Sequence, residues 1–160
     1  MAVARGIAKK GEMRVFSDGQ GITCSGRRGI PRANPSMPPK RILVVEDEED
    51  GLKLVTDILE KMLKQTVLAA TDGLQAIQMA HDHRPDIILM DLSLPKLDGW
   101  AATRSLRSSE IFRHTPIIAL TAHAMVGARE QALEAGCTDY FSKPIDIDAF
   151  VAFLEPYLND

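Results

Sequence analysis

Four short apolar runs, separated by stretches with helical spacing, constrain the fold of this chain more than any other feature of its sequence. The runs occupy residues 42–45, 67–70, 87–90 and 117–120. They are unbroken apolar blocks rather than alternating ones, a pattern typical of parallel strands that are covered on both faces. Residues 139–142 predict a fifth, weaker strand. We therefore expect a parallel sheet that is buried between two layers of helices.

Helical patterns lie between and after the predicted strands. Apolar residues collect on one helical face between positions 52 and 62, and again between positions 150 and 158. Three further helices are predicted at residues 72–82, 99–109 and 126–135. Because strands and helices alternate, the sequence predicts an α/β fold of the (βα)5 type with right-handed crossovers.

The first part of the chain differs from the rest in composition and charge. Residues 1–40 hold six of the eleven glycines and four of the nine prolines, and they carry a net charge of +6. Residues 41–160 carry a net charge of −9. We expect residues 1–39 to be a disordered basic extension or linker, with Met37 an alternative start, and residues 40–160 to form one domain. A basic arm that binds nucleic acid or lipid is the alternative function for the extension.

Composition excludes several classes of protein. No apolar run approaches the roughly 20 residues that a membrane-spanning helix needs. An acidic domain repels phosphate groups, so direct DNA binding is not expected. The two cysteines, Cys24 and Cys137, have the spacing of neither a disulfide framework nor a zinc site, and we expect Cys137 to be a small core residue. The sequence therefore predicts a cytoplasmic protein with no membrane segment.

Ionisable or hydroxyl side chains follow four of the five predicted strands. The first strand ends at Glu46 and Asp47, the third at Asp91, the fourth at Thr121 and the fifth at Lys143. The carboxyl ends of parallel strands meet at one edge of an open α/β sheet, and ligands bind there. Each residue alone has an ordinary explanation, such as a helix cap or a surface charge. Their joint position at one edge indicates a functional site.

The residue types at this edge point to phosphoryl transfer. Carboxylates within a few ångströms raise one another's pKa, and a hard divalent ion relieves that cost. Oxygen ligands favour Mg²⁺ or Mn²⁺ over zinc. A metal ion, an attacking carboxylate, a lysine and a hydroxyl are the groups that phosphoryl transfer uses.

These segments resemble the receiver domains of response regulators in two-component signalling. The resemblance covers about residues 40–159 and rests on several short motifs. They lie at residues 42–47, 88–95, 98–99, 119–122 and 142–144. The spacing also agrees, with 44 residues from Asp47 to Asp91, 30 more to Thr121 and 22 more to Lys143. The resemblance implies a flavodoxin-like, doubly wound parallel sheet with strand order 2-1-3-4-5.

The resemblance also implies a role for each matching residue at the acidic edge. Asp91 corresponds to the aspartate that accepts the phosphoryl group and becomes a 4-aspartylphosphate. Asp47 corresponds to a direct Mg²⁺ ligand, Glu46 to a ligand through water, and Ser93 to a ligand through its backbone carbonyl. Glu46 departs from the more frequent aspartate, which moves its carboxylate one methylene further out.

Further residues match the part of the family motif that senses the phosphoryl group. Lys143 corresponds to the lysine that pairs with phosphoryl oxygens, and the family implies a cis peptide bond between Lys143 and Pro144. Thr121 corresponds to the hydroxyl that binds the phosphoryl group, and Tyr140 to the aromatic switch that follows it inward. Ala122 is small, as phosphoryl access requires. Side chains at Ser93 and His123 tune the phosphoryl lifetime in the family.

Partners follow from the same resemblance. The expected phosphoryl donor is a sensor histidine kinase or a histidine phosphotransfer protein, and the expected target is a downstream protein that reads the face formed by the fourth helix, fifth strand and fifth helix. The chain ends after the fifth helix, so we expect a stand-alone receiver, or one from a hybrid kinase, that is a monomer or weak dimer. It is not expected to be an enzyme beyond catalysing its own phosphorylation and dephosphorylation.

Three other classes of protein remain as alternatives. A Mg²⁺-dependent phosphatase with an aspartyl-phosphate intermediate places its nucleophile in an Asp-x-Asp pattern after the first strand, where this chain has Glu46 and Asp47. A flavodoxin-like cofactor binder needs a loop rich in Ser, Thr and Gly at that position, and five consecutive acids would repel a phosphate. A phosphorylation-independent adaptor does not need the complete set of acidic, hydroxyl and lysine residues.

Overall fold

The structure is a computed structural model that describes residues 37–122 and 127–160. Five strands alternate with five α-helices in these ranges. The elements in chain order are β1 Arg41–Val45, α1 Glu49–Asp57, β2 Thr66–Ala70, α2 Gly73–His83, β3 Ile87–Asp91, α3 Gly99–Ser108, β4 Ile117–Thr121, α4 Ala128–Glu134, β5 Asp139–Ser142 and α5 Ile147–Leu158. Every predicted strand is present within one residue of its expected bounds.

All five strands are parallel and lie in the order β2-β1-β3-β4-β5. The predicted α/β fold with strand order 2-1-3-4-5 is therefore confirmed. The strand register aligns the carboxyl ends, since Val45 pairs with both Ala70 and Met90, and Thr121 pairs with Ser142. Residues that follow β1, β3, β4 and β5 therefore emerge along one edge of the sheet.

Two apolar layers cover the sheet, one on each face. Alternate strand residues contribute to each layer: Leu43 and Val45 face one, and Ile42 and Val44 face the other. Helices α2, α3 and α4 pack on the first face, and α1 and α5 pack on the second. Burial on both faces explains why the three central strands, β1, β3 and β4, read as continuous apolar runs.

Aspartates begin three of the five helices. The carboxylates of Asp72, Asp98 and Asp146 accept hydrogen bonds from the backbone N–H groups at the starts of α2, α3 and α5. Such caps satisfy N–H groups that have no partner within the helix. The caps fix where each helix leaves the carboxyl edge of the sheet.

Two short helical segments differ from the sequence prediction, the first in its backbone type and the second because it lies beyond the predicted end of the third helix. Residues Ile58–Met62 continue α1 as a turn of π-helix, and Leu63 N donates to the Ile58 carbonyl at 3.1 Å. Residues Glu110–Phe112 form a turn of 3₁₀-helix after α3. Ile58, Leu59 and Phe112 are buried, so both segments serve the core.

Some sequence predictions fall on residues outside the described ranges. They are the basic extension before residue 37, His123, and Val126, the first predicted residue of the fourth helix. The division into an extension of residues 1–39 and a domain of residues 40–160 stays a prediction. Among the described residues, no helix combines the length and apolar character needed to cross a membrane.

Candidate functional site

Three carboxylates meet at the carboxyl edge of the sheet. Glu46 and Asp47 directly follow β1, and Asp91 is the last residue of the neighbouring strand β3. One carboxylate oxygen from each lies within 4.8 Å of the others. Glu46 is 1% exposed and Asp91 is 4% exposed, whereas Asp47 is exposed. The site thus has two buried acids and one that faces solvent.

Lys143 brings a positive charge to these acids from the end of β5. Its ammonium donates a hydrogen bond to Asp91 Oδ2 at 2.8 Å and another to Glu46 Oε2. The Lys143 backbone N–H donates to the Thr121 carbonyl at 2.7 Å, and the peptide bond to Pro144 is cis. The lysine is therefore fixed both by its backbone and by its side chain.

The pKa values of Glu46 and Lys143 are both raised above their ordinary values, but for different reasons. Burial raises the pKa of Glu46 above its ordinary value, against the hydrogen bond from Lys143. Burial alone lowers the pKa of Lys143, but the hydrogen bonds to Asp91 and Glu46 outweigh it and raise that pKa. Three carboxylates and one ammonium leave a formal charge of −2, which favours binding of a divalent cation.

The backbone around Asp91 is closely packed. Ser93 N donates to Asp91 Oδ1 at 2.8 Å, which orients the carboxylate. A Cβ at Gly99 would lie 2.0 Å from the Asp91 carbonyl oxygen, so only glycine fits where α3 begins. The first turn of α3 therefore packs directly against the backbone of the aspartate.

Residues predicted to sense a phosphoryl group flank this cluster. Thr121 is 5% exposed and ends β4, the strand between β3 and β5. Ala122 is exposed and lines a cleft of about 440 Å³ together with Glu46 and Lys143. Tyr140 is half-buried in β5 and packs against the apolar layer shared with α2 and α3. The fold thus brings Thr121 and Ala122 to the site, while Tyr140 lies further down β5.

The donor set fits a hard divalent cation. Carboxylate oxygens are the ligands that Mg²⁺ takes in proteins, usually one or two carboxylates with waters completing the shell. Glu46, Asp47 and Asp91 supply that set, and the exposure of Asp47 leaves room for water ligands. Among the described residues, this is the one cluster of histidine, cysteine or acidic side chains with such spacing.

The sequence pattern missed two residues beside the site. No functional side chain was predicted in the turn after the second strand. Asp72 in that turn is 8% exposed, and its carboxylate pairs with Lys96 of the β3–α3 loop at 2.8 Å. The position of Asp72 just before α2 could have predicted its role as a helix cap. Its pairing with Lys96 could not be predicted from the sequence, because Asp72 and Lys96 are 24 positions apart.

A buried aspartate, its acidic neighbours and a lysine at the carboxyl edge of a 2-1-3-4-5 sheet are the arrangement that the sequence analysis expected for the receiver class of signalling domains. The comparisons with known proteins agree with that class. The response regulator receiver domain family matches residues 42–155. The chain belongs to this family.

Individual relatives extend over nearly the whole described chain. The polar-differentiation response regulator DivK of Brucella anthropi is 41% identical over 122 residues, which cover 76% of this chain and 98% of the relative. The receiver domain of the sensor histidine kinase PA1611 of Pseudomonas aeruginosa is 39% identical, with a TM-score of 0.70 over 77% of this chain and 100% of that one. That structure has a magnesium ion coordinated in its active-site cleft. The chemotaxis response regulator CheY4 of Vibrio cholerae shares the fold, with a TM-score of 0.71 at 23% identity over 75% of this chain and 99% of its own.

Family membership sets the general function. The chain is a receiver domain of a two-component response regulator, similar to DivK. Receiver domains are signalling switches rather than conventional enzymes, and they interact with histidine kinases and downstream targets. The predicted family and fold are thereby confirmed.

Proposed function

We propose that this protein takes a phosphoryl group from a phosphohistidine onto Asp91 and that the phosphorylated form controls a partner protein. The observation that carries the proposal is the environment of Asp91. Its carboxylate is buried at the end of the central strand and bonded to Lys143 and Ser93 N, with Glu46 and Asp47 beside it. The donor is a sensor histidine kinase or a histidine phosphotransfer protein.

The transfer step replaces a P–N bond with a P–O bond. A carboxylate oxygen of Asp91 attacks phosphorus in line with the donor imidazole, which leaves with the electrons of the P–N bond and takes up a proton. Lys143 balances the negative charge on the phosphoryl oxygens, and Ser93 N holds the second carboxylate oxygen in place. Bound Mg²⁺ supplies charge neutralisation for those oxygens.

Four residues are proposed to hold the ion. Asp47 and Asp91 bind it directly, Glu46 through a water molecule, and Ser93 through its backbone carbonyl. Three points support this assignment: the shared 4.8 Å neighbourhood of the carboxylates, their −2 charge with Lys143, and the magnesium ion in the Pseudomonas relative. An exposed Asp47 suits direct coordination, because the ion then keeps part of its hydration shell.

Phosphorylation is proposed to act through Thr121 and Tyr140. Thr121 moves toward the phosphoryl group on Asp91, and Tyr140 fills the space it leaves, which shifts the population toward a partner-binding form. Tyr140→Phe keeps the ring and is expected to preserve the response, whereas Tyr140→Ala is expected to abolish it. Amide chemical shifts in α4, β5 and α5 with acetyl phosphate and MgCl₂ measure the response. A full response in Tyr140→Ala contradicts the switch.

The alternatives are less well supported than this proposal. Family membership and the position of the buried aspartate on β3 argue against a phosphatase with its nucleophile after β1. The acidic residues after β1 argue against a cofactor phosphate at that position. Turnover of a generic phosphate ester would favour the phosphatase.

Intact mass spectrometry tests the central claim. Full-length protein is incubated with acetyl phosphate and MgCl₂, and we expect a mass gain of one phosphoryl group. Asp91→Asn is expected to show no gain, and Asp82→Asn, an exposed acid on α2, is expected to behave like the wild type. A gain that persists in Asp91→Asn, or that needs no Mg²⁺, would overturn the proposal.

A further inference from the structure

The β3–α3 loop, residues 92–98, contains one residue in an unusual backbone conformation. Lys96 has φ of 63°, in the left-handed region that side chains other than glycine, asparagine and aspartate seldom adopt. A glycine or asparagine would accept this conformation with less strain. The presence of lysine indicates that its side chain has a use that outweighs the backbone cost.

The side chain of Lys96 reaches across to the loop that follows β2. Its ammonium lies 2.8 Å from Asp72 Oδ2, while Asp72 Oδ1 accepts the Gln75 N–H at 2.8 Å at the start of α2. The hydrogen bond from Gln75 and the ammonium of Lys96 hold the pKa of Asp72 below its ordinary value, which favours the ionised carboxylate. Asp72 is thus a fixed anchor for the loop.

A second contact joins the same two segments. A Cβ at Gly73 would lie 2.3 Å from the Leu97 carbonyl oxygen, so the backbone of the loop rests directly on the first residue of α2. Two consecutive loop residues therefore contact two consecutive residues at the start of α2: Lys96 contacts Asp72, and Leu97 contacts Gly73. These two contacts restrain the second half of the loop, at Lys96 and Leu97. The first half is held by Leu92 and Leu94, which are buried.

We infer that Lys96, through its ion pair with Asp72, is a positioning residue for the magnesium site. The loop that it restrains carries Ser93, whose N–H bonds Asp91 and whose carbonyl is the proposed ligand. The inference rests on the proposed function and adds a residue to it. Residues that orient metal ligands commonly change affinity by about 10- to 100-fold when they are replaced.

Two simpler roles for the ion pair make different predictions. A role in stability alone is small, because the Lys96 side chain is 68% exposed and such pairs contribute little. A purely electrostatic effect has the opposite sign, since removing a positive charge near a cation site strengthens cation binding. Weaker Mg²⁺ binding after loss of the ammonium therefore distinguishes positioning from both.

The test measures Mg²⁺ affinity in the full chain by NMR titration of the amides of residues 91–93 with MgCl₂ at constant ionic strength. Lys96→Asn tolerates the positive φ but lacks the ammonium, and Lys96→Gly is a second variant with the same property. Lys96→Arg restores the charge. Lys61→Gln is the matched control, because Lys61, in the π-helical turn after α1, pairs with Asp57 at the same 2.8 Å and is 70% exposed.

We expect about tenfold weaker Mg²⁺ binding in Lys96→Asn and Lys96→Gly, recovery in Lys96→Arg, and no change in Lys61→Gln. Urea unfolding is expected to show both Lys96 variants at least as stable as the wild type. Unchanged or tighter Mg²⁺ binding in Lys96→Asn overturns the inference, as does equal weakening in Lys61→Gln. A wild type that binds no Mg²⁺ and gains no phosphoryl group instead overturns the proposed function.

Discussion

Lys143 donates a hydrogen bond to Asp91 at 2.8 Å across the end of β4, which lies between the strands that carry them. The two residues are 52 positions apart in the chain, so their contact depends on the whole sheet. The same ammonium also bonds Glu46 after β1. One side chain therefore joins the ends of three strands and compensates the charge of two buried acids.

Replacement of Lys143 by methionine is expected to slow phosphorylation of Asp91 by about 100-fold. The side chain keeps its length, but the charge opposite the phosphoryl oxygens is lost, and removal of one such group typically costs 10²–10³ in rate. The time course of mass gain with acetyl phosphate measures the effect. Lys53→Met, an exposed lysine on α1, is the control. An unchanged rate in Lys143→Met contradicts the role of the lysine.

Replacement of Gly99 by alanine is expected to reduce both stability and phosphorylation. The new methyl group meets the Asp91 carbonyl oxygen at 2.0 Å, and overpacking of this kind costs about 1–3 kcal/mol. Urea unfolding and the phosphorylation time course measure the two effects. Ala152→Gly, on the exposed face of α5, is expected to lose about 1 kcal/mol and keep its rate. If Gly99→Ala and Ala152→Gly lose similar free energies of unfolding and are phosphorylated at the same rate, the new methyl group at position 99 does not displace Asp91.

Arg107 is expected to contribute more to the free energy of unfolding than an arginine in an exposed ion pair. Its guanidinium donates to the carbonyls of Gly136 and Thr115 at 2.6 and 2.7 Å, to the Phe112 carbonyl and to Thr138 Oγ1 at 3.1 Å. An ammonium cannot reach acceptors in that many directions, so Arg107→Lys should lose about 2 kcal/mol of unfolding free energy.

Arg113→Lys is the control for Arg107, because Arg113 forms an exposed ion pair with Glu110 at 3.5 Å. Its replacement should change the free energy of unfolding by less than about 0.5 kcal/mol. Urea denaturation of both variants at neutral pH measures the difference. Similar losses at the two positions would show that the network around Arg107 contributes no more than a surface pair.

Cys137 is expected to resist alkylation in the folded protein. Burial raises the pKa of its thiol above the ordinary 9.0, so the reactive thiolate is scarce and the sulfur is poorly accessible. In a Cys24→Ser background, iodoacetamide should react more slowly with the folded protein at pH 8 than with the protein unfolded in urea at the same pH. Because the folded state disfavours the thiolate, stability should fall as pH rises through the folded pKa. Fast reaction at pH 8 without urea would contradict this prediction.

Most of the fold could be predicted because the three central strands, β1, β3 and β4, are buried on both faces. A run such as residues 87–90 has no polar side to obscure its pattern, and the structure shows all four residues with 0% exposure. The helix ends were less certain. The π-helical turn at Ile58–Met62 keeps the same apolar face as α1, so spacing alone could not distinguish it from a continuing α-helix.

The sequence predicted only those site residues that lie at the end of a strand or directly after it. Glu46, Asp47, Asp91, Thr121 and Lys143 come directly after or at the end of strands, and the register brings them to one edge. The contacts of Arg107, and the pairing of Asp72 with Lys96, depend on how loops from distant parts of the chain pack together. No local spacing encodes such contacts, so they appeared only in three dimensions.

The central position of β3 in the sheet has a consequence for recognition. Two strands lie on either side of it, so the groups around the aspartate come from strands on both sides. A linear peptide copied from residues 87–95 would carry the acid without the lysine of β5 or the acids after β1. Under the proposed function, a donor protein therefore has to recognise an assembled surface, and unfolding of the domain would prevent phosphorylation of Asp91.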